Sequence, residues 1–260
     1  MIDFGLVSVI MPSYNCGRFV GATIDSIIAQ TYENWELLIT DDGSTDDSMS
    51  IIRQYASRDP RIKVYSLDGN YGAGVARNNS IKEASGRYIA FCDSDDRWYP
   101  EKLEKQLAFM AEKGCCLSYT SYMTCDEEDE LVGIVNCLPA IGYRQILRDN
   151  GIGCLTAIYD VGKIGKNYFQ EIRKRQDWCL WISIIKAHGT ALGLREPLAY
   201  YRVRSNSVSS NKVALLKWNY QVYRNLGYGP VSSGVLLGGY FLPYYVYKKV
   251  KQKRDFRNIK

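Results

Sequence analysis

Three carboxylates lie within four positions of the sequence, directly after the apolar residues 89–92. Asp93, Asp95 and Asp96 carry like charges that repel one another, so such a cluster is most stable when a cation lies among them. In an extended segment Asp93 and Asp95 point to the same side, because side chains alternate. Two hard oxygen donors with open coordination positions suit Mg²⁺ or Mn²⁺ shared with the phosphates of a substrate. An acidic loop in solvent is the alternative, which the preceding apolar segment disfavours.

The first hundred residues predict an α/β fold that would position this cluster. Apolar runs at 6–11, 35–40, 62–65 and 87–92 are typical of buried parallel strands, and segments with helical spacing separate them. Ligands of such doubly wound sheets bind outside the carboxyl ends of the strands. Three polar loops follow strand ends and are therefore expected to converge on one crevice: residues 12–15, 41–44 and 93–96.

The following hundred residues predict a mixed region of helices and strands. The acidic run 126–130 separates two apolar segments, which indicates a hairpin tip in solvent rather than a metal site. Pro197 should bend the strand expected over residues 191–201. The remaining elements are expected as helices at 101–113, 142–150 and 178–187, and strands at 116–123 and 131–135.

The cysteines favour a reducing compartment. The eight cysteines show neither C-x-x-C nor zinc-ligand spacing, and the chain has a single histidine, His188, which is expected to be structural. Cys92 and Cys179 lie in apolar runs and are expected to be small buried hydrophobic residues. No signal peptide opens the sequence, which leads straight into a strand. We expect free thiols and a cytoplasmic location.

The positive charge is concentrated at the C-terminus. Residues 248–260 carry seven Lys or Arg and one Asp, a net charge of +6, so the chain before them carries −1 of the total of +5. This distribution argues against a nucleic-acid-binding face and predicts attraction to an anionic surface.

Two further segments near the C-terminus are apolar. Residues 213–226 predict a helix, and residues 231–247 are apolar but interrupted by three glycines and Pro243. A membrane span needs about 20 uninterrupted apolar residues, so a crossing is not favoured. We expect peripheral attachment to the inner face of the cell membrane. In the alternative, these helices pack on their own domain or on a second subunit, which leaves a homodimer open.

Four motifs in order resemble those of a family-two inverting glycosyltransferase of the GT-A fold. The resemblance is close over residues 5–110 and looser to about residue 211. It implies a Rossmann-like nucleotide-sugar-binding half (1–110), an acceptor-binding and catalytic-base half (111–211), and C-terminal amphipathic helices with a basic tail (212–260). The motifs are residues 9–15 (VIMPSYN), 30–46 (QTYENWELLITDDGSTD), 70–78 (NYGAGVARN) and 93–98 (DSDDRW).

The resemblance also implies a site for the donor. A helix that opens at Gly72 would present backbone N–H groups near the nucleotide. Asp95 would bind the Mn²⁺ or Mg²⁺ that bridges the diphosphate, and Asp93 would lie near the ribose or donor sugar and share the metal. The residues that would hold the base and ribose are Pro12, Tyr14, Asp41 and Asp42. A carboxylate among them would accept a hydrogen bond from a uracil-type N–H. Those that would contact the diphosphate are Arg77, Arg202, Arg204 and Ser207.

An inverting transfer needs one base to take a proton from the acceptor hydroxyl. In the family this base is an Asp that follows a Glu before an aromatic-rich helix, and the matching residue here is Asp177, with Gln176 in place of the Glu. Asp177 is also interpreted as a helix N-cap before Trp178, and the two roles are compatible. Arg195, Glu196 and Trp178 are further candidates for contact with the acceptor.

The resemblance implies a function in bacterial surface polysaccharide synthesis. The sequence is similar to β1,3-glucosyltransferases of O-antigen or capsule assembly. These enzymes transfer glucose from UDP-glucose to a GalNAc-diphosphate-lipid, in which the lipid is a polyprenyl chain. Transfer of galactose or GlcNAc to another acceptor stays open, because sugar choice depends on a few pocket contacts.

Three other functions fit the sequence less well. A nucleotidyltransferase would carry a Gly-rich loop after the first strand, where this chain has residues 12–15. A non-catalytic nucleotide-sugar-binding module would need neither Asp177 nor the arginines near residue 203. A dinucleotide oxidoreductase is disfavoured because no G-x-G-x-x-G follows the first strand.

Overall fold

A ten-stranded sheet runs through the chain. The computed structural model describes residues 2–204, 212–247 and 250. Ser207 and most of the basic tail therefore lie outside the described residues. The strands are β1 Val7–Ser13, β2 Trp35–Asp41, β3 Ile62–Ser66, β4 Tyr88–Phe91, β5 Arg97–Trp98, β6 Leu117–Cys125, β7 Leu131–Val135, β8 Ala140–Ile141, β9 Ile158–Asp160 and β10 Ala191–Arg202. Their order in the sheet is β3-β2-β1-β4-β9-β6-β10-β5, with β7 paired to β6 and β8 to β10.

Helices cover both faces of this sheet. Ile24, Ile52 and Leu107 from three helices pack on one face, whereas Ile81 and Ile146 from two others pack on the opposite face. The helices are α1 Gly17–Ile28, α2 Ser48–Ala56, α3 Ala73–Glu83, α4 Lys102–Lys113, α5 Tyr143–Arg148, α6 Val161–Ile164, α7 Gln176–His188, α8 Lys212–Asn225 and α9 Pro230–Val235, which continues through a π-helical turn at Leu236–Phe241 and helical residues to 247.

The first half is the doubly wound parallel unit that the sequence predicts. β1 pairs in parallel with both β2 and β4, and β2 pairs in parallel with β3. Every residue of β1, β2 and β4 is buried, as expected of strands covered by helices on both faces. The loops after these strands consequently meet at one edge.

A short antiparallel strand joins the two halves. β9 pairs antiparallel with β4 on one side and with β6 on the other, so β6 runs in the direction of β4. β10 is parallel to β6. The carboxyl ends of β6 and β10 therefore lie at the same edge as those of the first half, which brings both halves to one crevice.

Two local predictions in the second half are confirmed. The β6–β7 hairpin is antiparallel, and Asp126 at its tip accepts hydrogen bonds from the backbone N–H groups of Glu128 and Glu130. The pairing of β10 with β6 shifts register on both sides of Pro197. Proline has no N–H for the ladder, so a bend at that position is expected.

The C-terminal helices pack on the second half of the chain. The Tyr223 hydroxyl donates to the carbonyl of Leu147 at 2.7 Å, and the Tyr240 hydroxyl to that of Arg144 at 3.1 Å. Phe241 is 3% exposed. From the sequence, this region is expected either to attach to a membrane or to pack on the protein. The face of these helices that contains Tyr223 and Phe241 packs on the protein. Among residues 2–204, 212–247 and 250, no helix is both long and apolar enough to cross a bilayer.

Candidate active site

The loops after β1 and β2 are hydrogen-bonded to each other. The backbone N–H of Asp42 donates to the carbonyl of Ser13 at 2.8 Å, and that of Asn15 donates to the Ser44 hydroxyl at 2.9 Å. The Asn15 amide oxygen accepts from the N–H of Thr45 at 2.9 Å. These reciprocal bonds hold the two loops as one unit at the carboxyl edge.

Asp41 and Asp42 organise this unit. The Asp41 carboxylate accepts from the N–H and the hydroxyl of Ser44, at 2.8 and 2.5 Å. The two oxygens of Asp42 accept from the N–H groups of Tyr71 and Gly72, both at 2.8 Å. Gly72 has a φ of 96°, which favours glycine, at the N-cap of α3. Asp42 thus fixes the loop before α3 whatever else it binds.

The two remaining residues predicted to hold the base differ in access. Pro12 lies within β1, opposite Thr40 of β2, and is buried. Tyr14 follows β1 and is 45% exposed. The structure therefore offers the ring of Tyr14 for stacking, whereas Pro12 shapes the strand end beneath it.

The Asp93–Asp96 cluster forms a turn, closed by a hydrogen bond from the N–H of Asp96 to the carbonyl of Asp93 at 3.0 Å. The expectation of an extended segment is wrong, and the alternation argument for Asp93 and Asp95 does not apply. Each carboxylate instead has its own partner. Asp93 pairs with Arg77 at 2.5 Å, Asp95 with Arg204 at 3.2 Å, and Asp96 accepts from the N–H of Arg202 at 2.9 Å.

Burial and the mutual repulsion of the carboxylates both oppose their ionisation. Burial and the charge of Asp93 raise the pKa of Asp95, and burial with the charges of both neighbours raises that of Asp96 well above its usual range. One carboxyl oxygen of Asp96, Oδ2, is buried and has no hydrogen-bond partner among the described residues. A hard divalent cation would relieve this repulsion, so the residues fit Mg²⁺ or Mn²⁺.

The protein supplies an incomplete set of metal ligands. No group of three or more His, Cys, Asp or Glu side chains in the described part of the chain is arranged to hold a metal. Mg²⁺ is commonly bound by one or two carboxylates and completed by waters and substrate phosphates. The donor set around Asp95 is of that open kind.

The structure contradicts the predicted contact of Arg202 with the diphosphate. Its side chain is 3% exposed, its Nε donates to the carbonyl of Asp95 at 3.0 Å, and its Nη1 donates to the carbonyl of Asp126 at 2.8 Å. An ion pair with Asp129 completes its contacts. Because these contacts engage the buried guanidinium, Arg202 ties the carboxylate turn to the hairpin tip rather than reaching a diphosphate.

Arg77 and Arg204, the two other arginines predicted to contact the diphosphate, differ in accessibility. Arg77 is 7% exposed, bound to Asp93, with its guanidinium 5.2 Å from the ring centroid of Phe169. The side chain of Arg204 is 30% exposed and contacts Asp95 through one nitrogen. Arg204 therefore keeps donors that a diphosphate could use.

Phe19 is a site residue that the sequence did not reveal. The guanidinium carbons of Arg202, Arg18 and Arg204 lie 4.7, 5.1 and 5.2 Å from its ring centroid. Cation–π attraction to one ring helps to hold three like charges together. In the sequence Phe19 is one of the apolar residues of α1, and no motif contains it.

Asp177 lies in the first turn of α7, two residues after Arg175, the N-cap. The N-cap interpretation is therefore wrong. Although burial opposes it, the charges of Asp93 and of Asp177 raise the pKa of Arg77, so Asp177 lies within electrostatic reach of the carboxylate cluster. Its Oδ2 accepts from the Asn150 amide at 2.6 Å. Asn150 had no sequence signal, because its partner is 27 residues away.

Gln176, which stands where the family has Glu, joins α7 to α3. It is 9% exposed, and a Cβ at Gly74 would lie 2.9 Å from its amide group. A larger residue at position 74 would displace the Gln176 amide. An uncharged amide therefore takes the place of a carboxylate next to Asp177.

The three candidates for acceptor contact differ in accessibility. Trp178 is 0% exposed and donates from its indole N–H to the carbonyl of Ile146 at 2.6 Å, so it belongs to the core and its predicted contact with the acceptor is wrong. Glu196 pairs with Lys105 of α4 on the surface, and Arg195 is exposed in the middle of β10, beside the register shift. Acceptor contact by Arg195 and Glu196 stays a prediction.

Residues 8–199 match the family model described as Glycosyl transferase family 2. The chain belongs to this family. The family assignment made from the motifs is confirmed, and the match spans both halves of the sheet.

Several curated bacterial proteins are similar to this family member. The putative teichuronic acid biosynthesis glycosyltransferase TuaG of Bacillus subtilis is 43% identical over 222 residues, 85% of this chain and 88% of TuaG. The Escherichia coli UDP-Glc:alpha-D-GlcNAc-diphosphoundecaprenol beta-1,3-glucosyltransferase WfgD is 36% identical over 260 residues, the whole of both chains. In WfgD the acceptor sugar is GlcNAc, where the resemblance pointed to GalNAc.

Solved structures support the GT-A fold of this family member. Staphylococcus aureus TarS in complex with UDP-GlcNAc aligns with a TM-score of 0.68 and 22% identity, over 90% of this chain and 71% of that one. The mannosyltransferase PcManGT of Pyrobaculum calidifontis, with GDP-Man and Mn²⁺, aligns with a TM-score of 0.67 and 16% identity, over 90% and 70%. At these identities the likeness concerns the fold.

Proposed function

We propose that this family-two glycosyltransferase transfers glucose from UDP-glucose to a lipid-diphosphate-linked sugar, with inversion, in bacterial surface polysaccharide synthesis. The observation that carries the proposal is the match to WfgD, which extends over the whole of both chains at 36% identity. The crevice supports it, because it combines buried carboxylates, accessible arginine nitrogens and a separate half-buried carboxylate at Asp177.

In this mechanism Asp177 is the base. The acceptor hydroxyl attacks the anomeric carbon, the bond from that carbon to the UDP oxygen breaks, and the hydroxyl proton passes to the Asp177 carboxylate. Asn150 occupies Oδ2, so Oδ1 is the oxygen that receives the proton. A single displacement of this kind inverts the anomeric configuration.

The donor is held on the first half of the chain. The ring of Tyr14, 45% exposed, stacks on the uracil, and Arg204 contacts the diphosphate. Asp95, with Asp93, would hold Mn²⁺ or Mg²⁺. When bound, the cation supplies Lewis-acid stabilisation of the leaving diphosphate.

The lipid-linked acceptor sets the location of the reaction. A polyprenyl chain lies in the bilayer, whereas UDP-glucose is water-soluble, so we place the protein in the cytoplasm, peripheral on the inner face of the membrane. The basic tail at residues 248–260, with a net charge of +6, favours an anionic surface.

A transfer assay with a panel of substrates tests the proposal. Purified protein is incubated with UDP-glucose, UDP-galactose or UDP-GlcNAc and with GlcNAc- or GalNAc-diphosphate-lipid, and the anomeric configuration of the product is read by NMR. We expect β-linked glucose on the GlcNAc acceptor. An α-linked product, or transfer from none of the three donors, would overturn the proposal.

The same assay tests the base. D177N should lower kcat by about 10³-fold, because general-base catalysis contributes roughly 10²–10⁴-fold. The control D25N makes the same change at an exposed aspartate of α1 and should keep full activity. Retained activity in D177N would remove Asp177 from the mechanism.

A further inference from the structure

The C-terminal helix, defined here as residues 230–247, presents an outer face without charge. The sequence from Pro230 to Tyr247 contains no Asp, Glu, Lys, Arg or His. Val231 and Val235, one helical turn apart, are 81 and 66% exposed, Val246 further along the helix is 60% exposed, and Val250 just beyond it is 65% exposed. Exposed patches of apolar side chains mark interaction sites.

The inner face fixes this orientation. Phe241 is 3% and Ser233 0% exposed, and the Phe241 ring lies 5.8 Å from that of Trp178. The helix is thus held by a packed inner face, and rotating it would expose that face to water. The valines therefore point outward as a consequence of the packing.

Two tyrosines of the C-terminal helix pack on Arg148, and basic residues follow the helix in the sequence. The guanidinium carbon of Arg148 lies 4.4 Å from the ring centroid of Tyr244 and 5.3 Å from that of Tyr240. Its buried Nε has no hydrogen-bond partner within residues 2–204, 212–247 and 250. The sequence then continues into the basic residues 248–260. Exposed apolar side chains on a helix that tyrosines and basic residues accompany are typical of a membrane interface.

The same helix contacts the elements that carry the base. Trp178, on which Phe241 packs, directly follows Asp177 in α7. Arg148, beneath the tyrosines, ends α5 two residues before Asn150, which donates to Asp177. A surface that binds this helix therefore also fixes the position of the end of the crevice that contains Asp177.

We propose that the outer face of the C-terminal helix docks on an anionic lipid bilayer and so sets Asp177 at the level of a lipid-linked diphosphate. Charge complementarity selects this occupant over a second copy of the chain, since the residues that follow the apolar face are basic and would repel their own copies. The role in catalysis rests on the proposed function, whereas docking is measured without any substrate.

Co-sedimentation of the full-length protein with vesicles tests docking. The vesicles are phosphatidylcholine alone or phosphatidylcholine with phosphatidylglycerol. We expect binding to the anionic vesicles, and a fall of about tenfold or more in partitioning for the variant V235E/V246E, because two carboxylates would enter the interface. The control I2E/I28E adds the same charges at two exposed apolar residues far from the helix and should bind as the wild type does.

Three results would overturn the proposal. The first is equal partitioning of wild type and V235E/V246E, and the second is equal binding to neutral and anionic vesicles. The third is a dimer in sedimentation velocity that V235E/V246E dissociates, without vesicle binding by the wild type. Circular dichroism melting of V235E/V246E should match the wild type, since both valines point to solvent. Absence of transfer activity together with vesicle binding would count against the proposed function alone.

Discussion

Asn150 and Asp177 are joined by a 2.6 Å hydrogen bond from the amide to Oδ2. Replacing the amide in N150A removes the hydrogen bond that orients the Asp177 carboxylate. We therefore expect kcat to fall by about 10- to 100-fold, with KM for the UDP-sugar little changed. N150D should lower kcat further, because a carboxylate cannot donate this bond and would face a second carboxylate.

The matched control for this prediction is N167A. Asn167 is another loop amide, whose Nδ2 donates to the carbonyls of Ile164 and Gly165 away from the crevice. Its loss should leave both kcat and KM as in the wild type. If N150A raised KM for the UDP-sugar as much as it lowered kcat, Asn150 would have a structural role only.

Arg204 and a metal ion compete for Asp95. The guanidinium contacts Asp95 Oδ2 at 3.2 Å and brings a positive charge next to the proposed cation position. In R204M we expect Mn²⁺ to bind about 3- to 10-fold more tightly, since a like charge is removed, and UDP to bind about tenfold more weakly, since a phosphate contact is lost. Titration calorimetry measures both affinities.

The opposite signs make this prediction specific to the site. R53M, which removes an exposed arginine of α2, should change neither affinity. Weaker Mn²⁺ binding in R204M would show that Arg204 supports the metal instead of competing with it.

Residue types offer candidate site residues from sequence, whereas long-range partners exist only in the folded chain. The motifs mark Asp95 and Asp177 as candidates, because a short run of residues is enough to recognise each motif, and their roles stay predictions. Arg202 was misassigned because its acceptor at Asp126 lies 76 residues away along the chain. Phe19 and Asn150 carried no signal, since a ring under guanidinium groups and an amide on a carboxylate exist only after folding.

At the scale of elements, the long strands could be predicted from the sequence, whereas the short ones could not. β1 and β2, seven residues each and wholly buried, follow from their apolar runs. β5 and β8 have two residues each and β9 three, too few for any periodicity to be read. Yet β9, antiparallel to both neighbours, determines that β6 and β10 open at the same edge as β1.

Gly193 shows how closely the elements around β10 approach. A Cβ there would lie 2.1 Å from the backbone carbonyl oxygen of Leu138, whose neighbour Pro139 accepts the Gly193 N–H at 2.9 Å. G193A must push the backbones apart, and we expect a loss of about 3 kcal/mol in the free energy of unfolding. Urea denaturation monitored by tryptophan fluorescence measures it.

G229A is the control for this prediction. A Cβ at Gly229 would meet no atom of the described residues within 4 Å, and its φ of −62° suits any residue. The substitution should change stability by less than about 1 kcal/mol, because alanine narrows the unfolded ensemble but is a poorer N-cap than glycine for α9. Equal effects of G193A and G229A would contradict the close approach.

At the scale of the whole molecule, the two halves share one sheet. The predicted boundary near residue 110 falls at the end of α4, yet β6 and β10 extend the same sheet beyond it. The sequence carried the order of elements and the family motifs. It did not carry the continuity of the sheet, because a strand's pairing partner is not written in its own residues.

Lys102 lies within this shared core. Its side chain is 0% exposed, and its Nζ donates to Oε1 of Gln106 at 2.5 Å and to the carbonyl of Thr156 at 3.3 Å. Burial lowers the pKa of Lys102 to about 7. The ammonium form is therefore disfavoured in the folded protein, where neutral acceptors surround it.

This burial predicts how stability depends on pH. The ordinary lysine pKa is 10.5, so between pH 7 and 8.5 the unfolded chain keeps the proton that the folded protein releases. Since the unfolded state binds more protons, stability rises with pH in this window, and Lys102 adds about 1.5 kcal/mol between its ends. Urea denaturation at both pH values should show that K102M lacks this increment, whereas K105M, at an exposed lysine on the same helix, keeps it. Because cysteine thiols titrate alike in all three proteins, the difference between K102M and K105M isolates Lys102, and equal pH dependence in the two would contradict a neutral buried lysine.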